Sequence, residues 1–259
     1  MSLVLDTISH RFGAVVALRE VVARFELGRT TVLLGKNGAG KSTLLRCAIG
    51  ALRPERGRVQ VDGVALQRMA RGSRAARIAF VAQRPLFGAR LRVREVVELG
   101  RFALSARPRR VEEAIELMGL GDSCNRIASE LSAGFQQRVA LARAFAQIEP
   151  TGWLVLDEPA AALDPAATRV LVAALRGHVV AGGGVVATVH DLVLAAAIAD
   201  EAILLREGRV LAAGVASRIL RPEQLEAAFD APFWLARLGD QEHGREVAFP
   251  RLQPSAPEA

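Results

Sequence analysis

The feature that most constrains this 259-residue chain is a short glycine-rich stretch, Gly35 to Thr43. It follows an apolar run, Thr31 to Leu34, that predicts a buried strand, and a helix is predicted to begin near Thr43. Glycines between a strand and a helix let backbone N–H groups turn inward around phosphate oxygens, and the helix N-terminus adds the positive end of its dipole. The stretch therefore predicts a strand–loop–helix unit that binds phosphate.

Lysine usage points to the same stretch. Only two of the 34 basic residues are lysine, Lys36 and Lys41, and both lie in it. Lysine ends in a compact ammonium on a flexible stem, whereas arginine is a rigid planar fork, so one replaces the other poorly. Lys41 is expected to reach the β- and γ-phosphates and the Ser42 hydroxyl to ligate Mg²⁺, whereas Lys36 lies outside the invariant part of the pattern. The loop residues predicted to contact the nucleotide are Gly35, Lys36, Asn37, Gly38, Ala39, Gly40, Lys41, Ser42 and Thr43.

A second stretch, Trp153 to Pro159, supplies carboxylates. Four apolar residues predict a buried strand, and Asp157 and Glu158 follow at its carboxyl end, the edge of an open α/β sheet where ligands bind. Asp157 is expected to hold Mg²⁺ through its water shell, and Glu158 to accept a proton from an attacking water. By itself this stretch also fits a solvated turn. Beside the phosphate loop, it predicts the metal-binding and catalytic part of one site.

Composition limits the class of protein. Hydrophobic residues make up 51% of the chain, which indicates a globular fold. The longest uncharged apolar runs, such as Gly182 to Val189 and Leu192 to Ala199, fall well short of the roughly 18 to 20 residues that a membrane helix needs. The first residues do not resemble a secretory signal, and the two cysteines, Cys47 and Cys124, suit a reducing compartment. The expected location is the cytosol.

The net charge of +7 leaves three explanations open: nucleic acid, an anionic membrane surface, or an arginine-rich proteome. The most ordered basic feature is a stripe at steps of three, Arg68, Arg71, Arg74 and Arg77. A solvated helix face explains it, and a lipid-headgroup or partner contact is the alternative. The chain has no tyrosine and no alternation of basic and aromatic residues of the kind that stacks single-stranded bases. Nucleic acid is therefore disfavoured as a partner.

The order of strand and helix patterns predicts the architecture. Strand-like segments dominate the first third, helical periodicity follows from Pro85, with Val93 to Leu104 and Val111 to Met118 amphipathic, and strands return at Trp153 in alternation with helices. This order predicts a mainly parallel α/β sheet with a helical insertion. The predicted core spans 1–84 and 150–239, and the helical subdomain spans 85–149. Residues 240–259 are polar and proline-containing, and they predict a loose tail.

One further motif carries a resemblance to a known family. The stretch "LSAGFQQR", Leu131 to Arg138, resembles the signature motif of the ATP-binding cassette (ABC) family, and the resemblance covers about Leu3 to Phe233. It implies a P-loop NTPase core with a mainly parallel sheet, an N-terminal antiparallel β portion and an inserted α-helical subdomain, with ATP and Mg²⁺ as cofactors. It also implies that Ser132, Ala133 and Gly134 complete the ATP site of an opposite subunit, so that two copies form a head-to-tail dimer with two ATP.

The resemblance implies roles for further positions. Gln83 would touch Mg²⁺ or the attacking water and couple to a membrane partner, and His190 would contact the γ-phosphate, so that both act with Glu158 in catalysis. Asp164 lies in the loop that would cross the dimer interface. Phe12 matches the aromatic residue that stacks on adenine.

Two positions depart from the family pattern. Ala133 stands where glycine is usual, and Phe135 stands where glutamine or glutamate is common. The alanine adds one methyl near the γ-phosphate, and the phenylalanine removes a polar side chain. Both departures affect the fine geometry of the signature rather than the assignment to the family.

Sequence features also narrow the function within the family. A helical insert of ordinary size favours a transporter over the soluble chromosome-type or ribosomal cassettes. The stretches "ELGRFAL" and "HDLVLAAAIADEAILLREGRVLAAG" resemble metal-chelate importers for haem, siderophore or cobalamin. The implied partners are separate transmembrane permease subunits and an extracytoplasmic substrate-binding protein, with the chain peripheral on the cytoplasmic face of the inner membrane. The alternatives are a metal-ion importer, an exporter, or a soluble ABC ATPase.

Overall fold

The structure, a computed structural model, describes residues 1–238 and 245–251. Its strands are β1 Ser2–Phe12, β2 Val15–Glu26, β3 Thr30–Leu34, β4 Arg56–Val61, β5 Val64–Ala65, β6 Ile78–Val81, β7 Trp153–Asp157, β8 Gly184–Thr188, β9 Glu201–Arg206, β10 Arg209–Val215, β11 Phe233–Leu238 and β12 Arg245–Pro250. Its α-helices are α1 Lys41–Ala48, α2 Arg71–Arg77, α3 Val93–Glu98, α4 Pro108–Leu117, α5 Ala133–Gln147, α6 Pro165–Val180, α7 Leu192–Ile198, α8 Ala216–Ile219 and α9 Pro222–Phe229. Across these two ranges no helix is long and apolar enough to cross a membrane.

Within the described residues the strands form three sheets. The central sheet has the order β10-β9-β3-β8-β7-β6 and is parallel except for the antiparallel pairing of β9 with β10. An antiparallel sheet has the order β2-β1-β4-β5, and β11 pairs with β12. The predicted α/β class, with its parallel core, its N-terminal antiparallel portion and its inserted helices, is confirmed.

The central sheet is covered on both faces, which explains why its inner strands are continuously apolar. Every residue of β3, β7 and β8 is buried. Successive side chains of a strand point to opposite faces, and in β3 Val32 and Leu34 join one core while Leu33 joins the other. The first core contains residues of α3 to α7, and the second contains residues of α1 and of the antiparallel sheet. The sheet is thus the shared wall between two hydrophobic cores.

The helical insert lies between β6 and β7. The helix predicted for Val93 to Leu104 ends earlier, because α3 stops at Glu98 and a 3₁₀ turn follows. A Cβ atom on Gly100 would lie 2.4 Å from the carbonyl oxygen of Arg143, so the turn packs directly against the backbone of α5. The division of the chain into a core and a helical subdomain at residues 85 and 149 stays a prediction.

A buried arginine joins two parts of the helical insert. Arg101 is 6% exposed, and its guanidinium donates to the carbonyl oxygens of Ser105, Ala146 and Gln147. It also lies 3.2 Å from a carboxylate oxygen of Glu149, just before β7. A buried charge is tolerated only when it is paired and its donors are satisfied. The end of the 3₁₀ turn is therefore held at a defined position against the C-terminal end of α5.

The prediction of a loose tail is wrong for part of the segment. Residues Arg245–Pro250 form β12, in which Val247 lies opposite Ala236 of β11 and Phe249 lies opposite Trp234. Val247 and Ala248 are buried, which gives the strand an apolar anchor that its polar neighbours obscured in the sequence. The rest of the predicted tail, 240–244 and 252–259, lies outside the described residues.

One histidine is built into the core rather than into a site. His178, near the end of α6, is 8% exposed, and its Nε2 lies 3.0 Å from the carbonyl oxygen of Gly152. Its ring packs edge-on against Phe145 and occupies the space where a Cβ atom on Gly183 would lie. Burial is the main cause that lowers the pKa of His178 below its usual value of 6.5.

We therefore expect His178 to make the fold less stable in mild acid. Because its pKa is lower in the folded chain, the unfolded chain takes up the proton first as the pH falls below 6.5. The stabilisation is complete above that pH and is lost as the pH falls toward the folded pKa, by at most about 1.4 kcal/mol per pH unit. Urea unfolding at several pH values should show a flatter dependence for His178→Gln than for the parent chain. Equal dependence in both would contradict this assignment.

Candidate active site

The glycine-rich loop leaves the carboxyl end of β3 and is enclosed by backbone on two sides. Gly35 and Gly40 have φ angles of 143° and 102°. A Cβ atom on Gly35 would lie 2.1 Å from the carbonyl oxygen of Leu205, and one on Gly40 would lie 2.6 Å from that of Ala17. Only glycine fits both the conformation and the space at these two positions. The end of β9 and the strand β2 thus fix the path of the loop.

Lys41 fills the interior of this loop. Its side chain is buried, and its Nζ donates to the carbonyl oxygens of Gly35 at 2.7 Å and Lys36 at 3.0 Å. Burial lowers the pKa of Lys41, and the nearby carboxylates of Glu158 and Asp157 partly offset that effect. The ammonium is therefore prepositioned at the centre of a ring of backbone, where it can meet phosphate oxygens without a large rearrangement.

Three oxygen-bearing side chains meet at the ends of α1, β7 and β8. Asp157 Oδ1 lies 3.2 Å from Ser42 Oγ and accepts a hydrogen bond of 2.6 Å from Thr188 Oγ1. Hydroxyl and carboxylate oxygens are the ligands Mg²⁺ prefers, and in nucleotide sites one or two carboxylates combine with substrate phosphates and water. In the described part of the chain no three His, Cys, Asp or Glu side chains gather into an all-protein metal site. Ser42 and Asp157 therefore fit the limited share that a protein contributes to Mg²⁺–nucleotide binding.

The residues predicted for catalysis are brought together around Glu158. Its Oε2 accepts a hydrogen bond of 2.7 Å from Gln83 Nε2, and its Oε1 lies 2.6 Å from His190 Nε2. The backbone of Glu158 has a φ of 48°, a strained value for a residue with a side chain, and its N–H donates to Thr188 Oγ1 at 2.8 Å. In this conformation the carboxylate lies between Gln83 and His190. The arrangement can hold a water molecule beside a basic carboxylate once one of those contacts opens.

A cleft of ≈ 580 Å³ adjoins this group. It begins at Glu158 and His190 and runs between α6 and α7, lined mostly by apolar side chains such as Leu163 and Val172. The predicted catalytic residues thus border open space rather than the closed core.

The residues implied for the opposite subunit's site lie apart, at helix N-termini. Ser132 caps α5 and accepts a long hydrogen bond of 3.5 Å from the N–H of Phe135. Asp164 caps α6 and accepts one of 2.7 Å from Ala167. Ser132 and Ala133 are exposed, whereas Gly134 packs so closely that a Cβ atom on it would lie 2.7 Å from the carbonyl oxygen of Ala162. The signature segment therefore presents Ser132 and Ala133 to solvent.

Phe12 also lies apart from the catalytic group. It ends β1 beside the turn to β2, its side chain is 49% exposed, and its ring packs edge-on against His10 with 4.7 Å between the centroids. An exposed aromatic face at a turn is available to stack on a base.

Lys36 makes an ion pair that the sequence pattern did not indicate. Its Nζ donates to Asp230 Oδ2 at 2.8 Å, and Arg206 pairs with the other oxygen of that carboxylate at 3.0 Å. The hydrogen bond from Lys36, helped by Arg206, lowers the pKa of Asp230. Lys36 thus links the loop to the C-terminal end of α9, a contact between residues 194 positions apart.

Sequence reasoning also missed Thr188. Within the apolar strand β8 it has the pattern of an ordinary β-branched strand residue, yet its hydroxyl contacts both Asp157 and the backbone of Glu158. The only available signal was its position, two residues before the predicted catalytic His190.

Together the fold and these contacts define the class of protein to which the chain belongs. A glycine-rich loop that encloses a lysine, next to a parallel strand ending in two carboxylates, is the arrangement of P-loop proteins that hydrolyse nucleoside triphosphates. The chain is a P-loop nucleotide-binding protein with an inserted helical unit.

Comparison with known proteins gives the family. The pattern of the ABC transporter family matches residues 18–161. The hemin import ATP-binding protein HmuV of Pseudomonas fluorescens (strain Pf0-1) is 38% identical over 226 residues, which span 85% of this chain and 89% of that protein. HmuV of Pseudomonas aeruginosa is 36% identical over 250 residues, 94% of this chain and 98% of that protein. The chain belongs to the ABC transporter family, as the signature motif predicted.

Solved structures of ABC proteins have the same fold as this chain. An inward-facing metal-chelate type ABC transporter has a chain that matches with a TM-score of 0.81 and 25% identity, over 96% of this chain and 97% of that one. A dimeric ATP-binding cassette in a post-hydrolysis state, bound to ADP and Pi, matches with a TM-score of 0.75 and 26% identity, over 83% of this chain and 98% of that one.

The Thr188 hydroxyl should matter for turnover more than for nucleotide binding. Thr188→Val keeps the shape of a buried strand residue but removes the contacts to Asp157 and Glu158. We expect ATP binding to persist and turnover to fall about ten- to a hundredfold, as for the loss of hydrogen bonds worth about 1.5–3 kcal/mol. Phosphate release and calorimetric ATP binding measure the two effects. Thr188→Ser should retain turnover, Lys41→Ala should lose binding, and unchanged turnover in Thr188→Val would remove this role.

Proposed function

We propose that this chain binds and hydrolyses MgATP as one of two identical subunits that drive import of a haem-type metal chelate. The observation that carries the proposal is the Glu158 carboxylate, held between Gln83 and His190 beside a loop whose interior is filled by Lys41. A carboxylate placed next to a phosphate-binding loop is suited to accept a proton from water that attacks a phosphate.

Positioning and charge neutralisation account for most of the rate in phosphoryl transfer, because the protein has little covalent chemistry to perform. Lys41 and the loop N–H groups would bind and neutralise the phosphates, and Ser42 and Asp157 would hold Mg²⁺. When bound, the metal supplies further neutralisation of the phosphate charge. Glu158 would exchange one of its contacts, to Gln83 or His190, for a water molecule and take its proton.

The exposed signature segment supports assembly into a dimer. Ser132 lies at the N-terminus of a 15-residue helix, where N–H groups and the helix dipole favour an anion. The same chain's phosphate loop lies at the end of β3, whereas this segment belongs to the helical insert. In a head-to-tail pair, Ser132 of one copy would face the ATP bound to the phosphate loop of the other copy. The dimeric cassette described above is a precedent for such a pair.

Assembly should depend on ATP and on Ser132. Without nucleotide, two anion-binding surfaces repel each other, whereas the γ-phosphate of ATP bridges them. The hydrolysis-deficient Glu158→Gln chain should be monomeric alone or with ADP and dimeric with ATP, as measured by light scattering. Ser132→Arg should block the dimer but leave ATP binding intact, since the loop that binds ATP is unchanged. A matched control, Ser73→Arg on the exposed face of α2, should dimerise normally.

An ATP-dependent dimer that survives Ser132→Arg would show that this segment is only a capped helix. A chain that never dimerises with ATP would contradict the proposed assembly as a whole.

The direction of transport and the cargo class are supported by relatives named for hemin import and by the metal-chelate type transporter of matching fold. The proposal includes separate transmembrane permease subunits, a position on the cytoplasmic face of the inner membrane, and an extracytoplasmic substrate-binding protein. No residue of the described site is expected to contact the cargo.

Reconstitution with its permease tests this function. Vesicles that contain the permease, with this chain inside and the substrate-binding protein outside, should accumulate hemin when ATP is supplied inside, and Glu158→Gln should abolish the uptake. Cobalamin, a ferric siderophore, Mn²⁺ and Zn²⁺ serve as competing cargoes. Uptake of a metal ion, or ATP-driven export, would contradict the chelate-importer proposal, and uptake independent of this chain would contradict its role as the ATPase.

A further inference from the structure

One buried side-chain amide makes no hydrogen bond within the described part of the chain. Gln137 of α5 is 1% exposed, and neither its Nε2 nor its Oε1 has a hydrogen-bond partner within the described part of the protein. A glutamine amide carries two donors and an acceptor with two lone pairs. Because an unsatisfied buried amide destabilises a fold whereas an apolar side chain of the same size does not, simple packing does not explain glutamine at this position.

The position of Gln137 on its helix shows which neighbour it can serve. It lies three residues after Gly134, on the same side of α5, and long helical side chains point back toward the N-terminus over the preceding turn. Over that turn Gly134 meets the carbonyl oxygen of Ala162, which lies 2.7 Å from the point where a Cβ atom would be. Gln137 is thus directed toward the loop between β7 and α6, residues 158–164.

This loop carries functional groups at both ends. Glu158 begins it, and Asp164 ends it as the cap of α6. Two internal backbone hydrogen bonds, from Ala161 to Glu158 and from Leu163 to Ala160, fold it into a compact turn. A change in the position of α5 would therefore reach the loop through the contact of Gly134 and the amide of Gln137.

We propose that Gln137 is a positioning residue that couples the Ser132 end of α5 to the loop 158–164. Its amide hydrogen-bonds to the backbone of that loop when two copies close on ATP and shift α5 against the core. The amide has no partner among the described residues of the single chain, and the closed dimer supplies one, so the residue favours closure. This inference rests on the ATP-driven dimer proposed above. It adds a route by which binding of the Ser132 segment to the partner's ATP changes the position of loop 158–164 in the same chain.

Gln137→Met tests the proposal because methionine has a similar length and volume but no amide. In the Glu158→Gln background, we expect unchanged ATP binding, an equal or higher melting temperature without nucleotide, and an ATP-dependent dimer weakened about tenfold, the effect of losing one or two hydrogen bonds. In the otherwise unaltered chain, turnover should fall in parallel. Stability and dimerisation thus change in opposite directions.

The chain offers a matched control on the same helix. Gln147 has a satisfied amide that donates to the carbonyl oxygens of Ala75 and Ile78, both at 2.9 Å. Gln147→Met should lower the melting temperature and leave the ATP-dependent dimer intact, which is the signature of a purely structural amide. A Gln137→Met chain that behaves in this way, or that dimerises and hydrolyses ATP like its parent, would overturn the inference.

The two proposals fail in distinguishable ways. A parent Glu158→Gln chain that does not dimerise with ATP would overturn the proposed assembly and this inference with it. A parent that dimerises, together with an equally strong Gln137→Met dimer, would overturn only the role of Gln137.

Discussion

The burial of the Lys41 ammonium is the interaction on which the rest of this structure depends. A charge that is only 6% exposed needs partners, and the carbonyl oxygens of Gly35 and Lys36 supply them only if the loop curves back on itself. That curvature needs glycine at two positions, and the turn between β9 and β10 holds it from outside, because Gly208 donates to the carbonyl oxygen of Ala39. Strands that are distant in sequence thus hold the loop that encloses the Lys41 side chain.

The parts of the fold and site that could be predicted are those in which a local pattern has one physical meaning. A local pattern of about ten residues is enough to recognise the phosphate loop, the buried strand before it, and the strand that ends in Asp157 and Glu158. Parallel strands then bring their carboxyl ends to one edge, which explains why Gln83 and His190, whose roles the family resemblance implies, lie beside Glu158 once β6 and β8 pair with β7. The family and the α/β class were accordingly predictable.

What sequence could not predict is contact between distant residues with ordinary local patterns. Thr188 is a β-branched residue in a buried strand, and its bond to Asp157 depends on the register of β8 with β7, which pairs these two residues directly. Lys36 finds Asp230 because the end of α9 is folded over the loop. The strand β12 hides a buried Val247 among polar residues, and only its pairing with β11 makes that burial possible.

The two departures from the signature pattern fall where the packing permits them. Ala133 is exposed, so its extra methyl displaces nothing in the chain itself, whereas a methyl at Gly134 would collide with the carbonyl of Ala162. Phe135 packs against the core, and the guanidinium carbon of Arg138 lies 4.1 Å from the centroid of the Phe135 ring. Arg138 also donates a hydrogen bond to the carbonyl oxygen of Met118 at the end of α4. The aromatic residue thus replaces a polar side chain with a cation–π contact that joins α4 to the first turn of α5. Glycine at 134 is required by the fold whatever ligand the helix end meets, and the two departures in this chain stand on either side of it.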